Sequence, residues 1–167
     1  MSTPSNIPPP GGDSPKGPTV FQGSPISTST VWSNDPWVPT TTGIWVDLPG
    51  ALIPANIGPG TPSYAGNFIV TFTAESLLKA KDDNGVVFLD VFFGGEPAHP
   101  LSDNHRFDSS IDMGTEWRSL TTVRVATIAP SFTQIKNVDA QVRLLYKTDS
   151  PQESGIQNWT LRVDRFN

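Results

Sequence analysis

The sequence predicts an all-β protein: a two-sheet antiparallel jelly-roll β-sandwich of about eight strands behind an extended Pro/Gly-rich N-terminal arm. Three observations predict it. Apolar and polar residues alternate with a period of two in several separate runs, so one side of each run faces a core. Turn-forming residues separate the runs by stretches too long for simple hairpins, which favours Greek-key crossings. No segment carries the spacing of an amphipathic helix. An immunoglobulin-like sandwich is the nearest alternative, although the cysteine pair typical of antibody domains is absent.

Residues 1–26 read as the arm. Seven Pro and four Gly fall among the first 25 positions. Pro8-Pro9-Pro10 favours polyproline II and Gly11-Gly12 a swivel. Such a segment buries too little apolar area to order itself, so it is expected to be either a disordered tail or an arm that docks on a neighbour. Val20, Phe21 and Ile26 are its expected anchors. Residues 27–167 are the expected sandwich domain. Thr28–Trp32 and Gly43–Leu48 read as short strands, with Pro49-Gly50 ending the second. Ala51–Gly66 reads as a long connection. From Asn67 to Glu75 the alternation is clean, with Phe68, Val70, Phe72 and Ala74 on one side. Leu77–Lys81 is expected to make a helical turn, and Lys81–Gly85 a tight reversal on Asn84-Gly85.

Val86–Phe93 is the most informative run. Val87, Leu89, Val91 and Phe93 share one side. Val86, Phe88, Asp90 and Phe92 share the other, and it too is mostly apolar. An antiparallel sandwich normally wets one side of each strand, so this strand is expected to be central and covered twice. The second cover is a loop, the arm or another subunit. Asp90 must reach water or find a partner there, a cross-strand Arg or a subunit-interface contact, because a lone buried carboxylate is costly. Arg106–Ser109, Leu120–Ile128, Ala140–Lys147 and Asn158–Phe166 complete the expected strands. On the last, Trp159, Leu161 and Val163 point inward.

Composition narrows the function classes. The 167 residues make one domain of ordinary size. Without cysteine there is no disulfide framework and no thiol chemistry. A net charge of −5 argues against a nucleic-acid partner. No apolar run approaches the roughly 18 residues of a membrane span. Met1-Ser2-Thr3-Pro4 lacks signal-peptide features, so cytoplasmic synthesis is expected.

The chemistry-bearing residues form no catalytic constellation. His99 and His105 are the only histidines, and lie in one polar stretch with Glu96, Asp103, Asp108 and Asp112. Their spacing matches no zinc motif, and a polar loop accounts for them. Two histidines with Glu96 are a minimal set for a cupin-type metal enzyme, the least favoured of three classes. Asp82, Asp83 and Asn84 offer oxygen ligands, but Gly85 leads straight into a strand rather than through a calcium loop. There is no nucleophile elbow and no phosphate-cradling loop. Glu75 is expected to pair with Arg118 or Arg124 across a sheet face. Trp32 and Trp37 flank a turn-like loop, where two rings could form a platform for a sugar.

Four blocks carry a resemblance: Phe72-Thr73-Ala74-Glu75-Ser76, Gly95-Glu96-Pro97-Ala98-His99-Pro100, Phe107-Asp108-Ser109-Ser110 and Trp117-Arg118. In this order, over residues 45–166, the chain resembles small uncharacterised bacterial β-sandwich proteins. That resemblance implies a similar final strand at 158–166. Members are often exported and often contain cysteines; this chain has no cysteine and its start is not expected to be a leader, which speaks against an exported role. The architecture is also similar to the jelly rolls of viral capsid, decoration and fibre proteins.

The expected function is therefore a non-enzymatic structural or assembly module, needing no cofactor and binding no metal. It is expected to be a homo-oligomer, a trimer, within a virion or other extracellular particle such as a phage-like one. Val20, Phe21, Val86, Phe88, Asp90 and Phe92 are the expected interface. The alternative is a carbohydrate-binding or lectin-like module using Trp32 and Trp37.

Overall fold

Alternating runs of β-branched and aromatic residues pair here as long antiparallel ribbons. The computed structural model describes residues 23–41, 43–55, 66–80, 85–93, 95–101, 105–109, 116–128, 138–147 and 151–166. The arm residues 1–22, with Val20 and Phe21, and the reversal at 81–84 lie outside the described residues. The strands are β1 (Ser27–Ser33), β2 (Trp45–Ala55), β3 (Gly66–Ala80), β4 (Val86–Phe93), β5 (Glu96–Pro97), β6 (Arg106–Ser109), β7 (Arg118–Ile128), β8 (Val138–Lys147) and β9 (Pro151–Phe166). Among the described residues there is no helix.

The protein is a two-sheet antiparallel β-sandwich. One sheet has the order β1-β9-β3-β7; the other has β2-β8-β4-β5, with β6 also on β4. The inner sides of both sheets meet in one core. Val70, Phe72 and Leu161 of the first sheet and Val87, Val91, Leu144 and Val142 of the second are at most 1% exposed. Each such side chain contributes about 1.5–3 kcal/mol by leaving water. Aromatic pairs cross between the sheets: Phe68 and Phe93 have centroids 4.8 Å apart, and Phe72 and Phe107 5.6 Å.

One margin of the sandwich is closed by a short stretch of chain. After β5, Ala98 N–H donates to Val91 O on β4 at 2.8 Å. His99 then exchanges both backbone hydrogen bonds with Val125 on β7, at 2.7 and 2.8 Å. The segment thus leaves the second sheet and joins the edge of the first. It covers backbone groups that would otherwise form two bare edges.

Three expectations are corrected. The helical turn expected at Leu77–Lys81 is absent from its described residues, 77–80: β3 continues to Ala80, because Ser76, Leu77 and Leu78 pair with Ile156, Gly155 and Ser154 of β9. Pro49-Gly50 does not end β2. The ladder slips between Asp47 and Leu52, and Gly50 takes φ +78°, a conformation open to glycine, beside the Trp159 ring. The residues after Gly50 are consequently strand rather than connection as far as Ala55. The last strand begins at Pro151, not at 158. Trp159, Leu161 and Val163 do point inward, at 3%, 0% and 6% exposure.

Candidate functional site

Cross-strand register places the outward side chains in rows. On the outer side of the first sheet, Trp32, Thr160, Thr73 and Thr121 form one row, and Thr30, Arg162, Thr71 and Val123 the next. Thr73 and Thr121 are joined hydroxyl to hydroxyl at 3.2 Å. Arg162 is engaged by Asp164, which also accepts from Thr28 at 2.6 Å. Trp32 is 65% exposed on this side.

A β-bulge shapes the end of that side. Thr73 pairs with Thr160 and Glu75 with Gln157, so Asn158 and Trp159 together oppose Ala74. Asn158 takes φ +48°, a left-handed conformation that asparagine tolerates better than other non-glycine residues. The extra residue lets Ile156 and Trp159 both face the core. It also leaves two consecutive amides, Gln157 and Asn158, outside. Gln157 Nε2 and Asn158 Nδ2 each donate to Glu75 Oε2 at 2.8 Å. The bonds from Gln157 and Asn158 hold the Glu75 carboxyl below its usual range.

The Glu75–arginine pair expected from the sequence does not form. Ser76, not Glu75, shares its sheet side with Arg118, and Arg124 sits opposite the core residue Val70. Strand parity decides this: adjacent residues face opposite ways. Arg118 instead pairs with Asp108 and donates to Ser109 O at 2.7 Å, tying β6 to β7. Asp108 is buried, which raises its pKa; Ser76, Arg118 and the Ser109 N–H offset part of that. Asp108 Oδ2, Ser76 Oγ and the Tyr146 hydroxyl are buried without a hydrogen bond of good geometry. Burial, then the Asp108 charge, pushes the Tyr146 phenol up. Ser76, Asp108 and Arg118 thus meet here, with Phe72 on Phe107.

The outer side of the second sheet is different. Trp45, Leu145, Phe88 and Arg106 form one row, Asp47, Arg143 and Asp90 the next, and Leu52, Gln141, Phe92 and Pro97 a third. Trp45 and Leu52 are 44% and 41% exposed. Phe88 and Leu145 are buried already within the single chain, while Val86, Asp90 and Phe92 are half-buried. The expected second cover is therefore partly supplied by the chain itself. Arg143 lies opposite Asp90 but binds Asp47 at 2.8 Å and covers the Phe92 ring, 4.3 Å from its centroid. Asp90 turns to the Val91 N–H at 3.1 Å and to His105 Nδ1 at 3.8 Å. Burial raises the Asp90 pKa; His105, Val91 and Arg124 act against it.

Trp32 and Trp37 do not share a platform. Trp37 bridges to Ile156 through its backbone, packs on the core and tilts against the Tyr146 ring at 6.1 Å. His99 is exposed on the closing segment, whereas His105 faces Asp90. Among the described residues no three His, Asp or Glu side chains gather as a metal site. Sequence reasoning missed Trp45, Leu52, Gln157 and Asn158 as site residues. One signal was readable: Ile156 and Trp159 are both large and apolar, and three positions apart they share a side only if the strand bulges. No protein-family model matches the chain, and no curated protein matches it either.

Proposed function

We propose that this protein is a non-enzymatic structural module that assembles with further copies of itself, as a jelly-roll decoration or fibre protein of a phage-like particle. The observation that carries the proposal is the apolar outer side of the second sheet, where Trp45 and Leu52 stand exposed beside Phe92 and Val86. Exposed apolar side chains gathered on one face mark an association surface. The occupant is a second copy of the chain. At the middle of the face Asp47 is paired with Arg143, and burial raises the Asp90 pKa, which favours its uncharged form. Such faces can gather around a common axis with less of the like-charge penalty that a net charge of −5 would otherwise impose.

The jelly-roll reading is supported by strand order. β1, β3, β7 and β9 share one sheet and β2, β4, β5, β6 and β8 the other, and the orders β1-β9-β3-β7 and β2-β8-β4 fit two interleaved Greek keys. A closed trimer is the assembly proposed, with residues 1–26, including Val20 and Phe21, as an arm on a neighbouring copy. Synthesis in the cytoplasm and residence in the particle complete the reading.

Light scattering on the purified full chain tests it. The wild type is expected to show the mass of a trimer at micromolar concentration. Leu52→Asp is expected to reduce it to a monomer, and Thr30→Asp, on the other sheet, to leave it unchanged. A wild-type monomer overturns the proposal. Co-purification with a particle tests the virion assignment separately.

A further inference from the structure

The geometry points to a binding site for a neutral glycan on the outer side of the first sheet, built by Trp32 and the Glu75–Gln157–Asn158 cluster. It goes beyond the assembly proposal and stands on the opposite sheet. Sugars are held by two features together: an aromatic ring for their apolar C–H face and a planar fork of acceptors and donors for their hydroxyls. Both features are present on the outer side of one sheet.

Trp32 supplies the ring. Its neighbour Val31 packs on the core, so strand parity turns the indole outward, where it is 65% exposed. The indole therefore presents apolar ring surface to solvent in a row otherwise made of threonines. The bulge supplies the fork. Both amides donate to the same carboxylate oxygen, Glu75 Oε2, so Glu75 Oε1 and the two amide carbonyl oxygens are acceptors outside those two bonds. The remaining amide N–H groups are donors. The three side chains hold one another, so little rotamer freedom is lost when a ligand binds. A left-handed non-glycine residue costs backbone energy, and such strain clusters at functional sites. Here it delivers the second amide.

The row between the two features is lined by hydroxyls, Thr160 and Thr73, with Thr121 beyond. Strand spacing of about 4.8 Å and a rise of about 3.4 Å per residue put Trp32 and Glu75 roughly 12 Å apart. That is the span of a disaccharide unit. The ionised Glu75 and the net charge of −5 select against acidic sugars.

The experiment is an array of neutral and acidic oligosaccharides probed with the full chain. Tryptophan-fluorescence titration of the best neutral oligosaccharide follows. Binding with Kd of about 1 mM or tighter is expected. Trp32→Ala is expected to weaken it at least about tenfold, and Glu75→Gln by a similar factor. Asn158→Gly keeps the left-handed backbone and removes only the amide, so its weakening separates loss of the fork from loss of the fold. Thermal melts confirm that each variant is folded. Leu52→Asp, which tests assembly, should bind as the wild type does, so either reading can fail alone. No binding by any neutral sugar overturns the inference. So does binding that survives both Trp32→Ala and Asn158→Gly, or a preference for acidic sugars.

Discussion

The two outer faces of the sandwich obey the same alternation and reach opposite compositions. Outside the first sheet lie Thr28, Thr30, Thr71, Thr73, Thr121 and Thr160, with Arg162 and Asp164 paired among them and Trp32 and Val123 as exposed apolar exceptions. Outside the second lie Trp45, Leu52, Val86, Phe88, Phe92 and Leu145, around one row of matched charges. The inner faces are alike, closely packed and apolar. The period of a strand therefore tells which side is core. The chemistry of the other side tells whether water or protein lies against it. Threonine satisfies both a strand backbone and water, so the first face rests stably in solvent. The second face gains free energy from being covered.

The largest expected effect breaks the comparison at Phe88. If its side of β4 is a true second interior, Phe88→Ala costs about 3 kcal/mol, the loss of a core phenylalanine. Thr71→Ala, outward on β3, stays within about 0.5 kcal/mol. Urea denaturation of both variants checks this. Equal effects would remove the distinction between the faces. Next comes the bulge of the polar face. Asn158→Ala is expected to cost about 1–2 kcal/mol, because alanine resists the left-handed conformation. Asn158→Gly should cost far less, and equal losses would show that the amide, not the backbone, holds the bulge.

A smaller effect is pH-dependent and sits at the margin of the apolar face. Burial and the neighbouring Arg124 depress the His105 pKa, against the pull of Asp90. The unfolded chain therefore takes up this proton first as pH falls. The stability that neutral His105 brings is complete above about pH 7, and declines as pH drops through about 6.5 towards the folded value. Asp90 and Asp108, raised by burial, act in the opposite sense: their contribution is complete below about pH 4 and lost as pH rises through their folded values. Denaturation at pH 7.5 and 5.5 should show a smaller loss for His105→Gln than for the wild type. An identical loss would exclude the imidazole as its source. The smallest effect is Asp47→Ala, below about 1 kcal/mol, since this ion pair is solvent-exposed.

Much of the fold was legible as alternation. Phe68, Val70 and Phe72 on β3, and Trp159, Leu161 and Val163 on β9, face the core as their spacing required. The misread elements share a cause. Leu77–Lys81 has a locally ambiguous pattern, and only pairing with β9 draws it into a strand. Pro49-Gly50 reads as a stop, yet a slipped ladder beside Trp159 absorbs it. The candidate sites were less legible still. Trp32 stood out from the start, but its partners lie more than forty and more than a hundred positions along the chain, at Glu75 and at Gln157 and Asn158.

The sequence alone determined the class of fold and the inward set of each regular strand, because a period of two is a local property that burial enforces residue by residue. Tertiary structure decided who meets whom: Arg118 with Asp108 instead of Glu75, Arg143 with Asp47 instead of Asp90, Trp37 in the core instead of beside Trp32. Those choices follow from strand order, register and one bulge, which depend on the whole chain closing into two sheets and are written in no single segment of it.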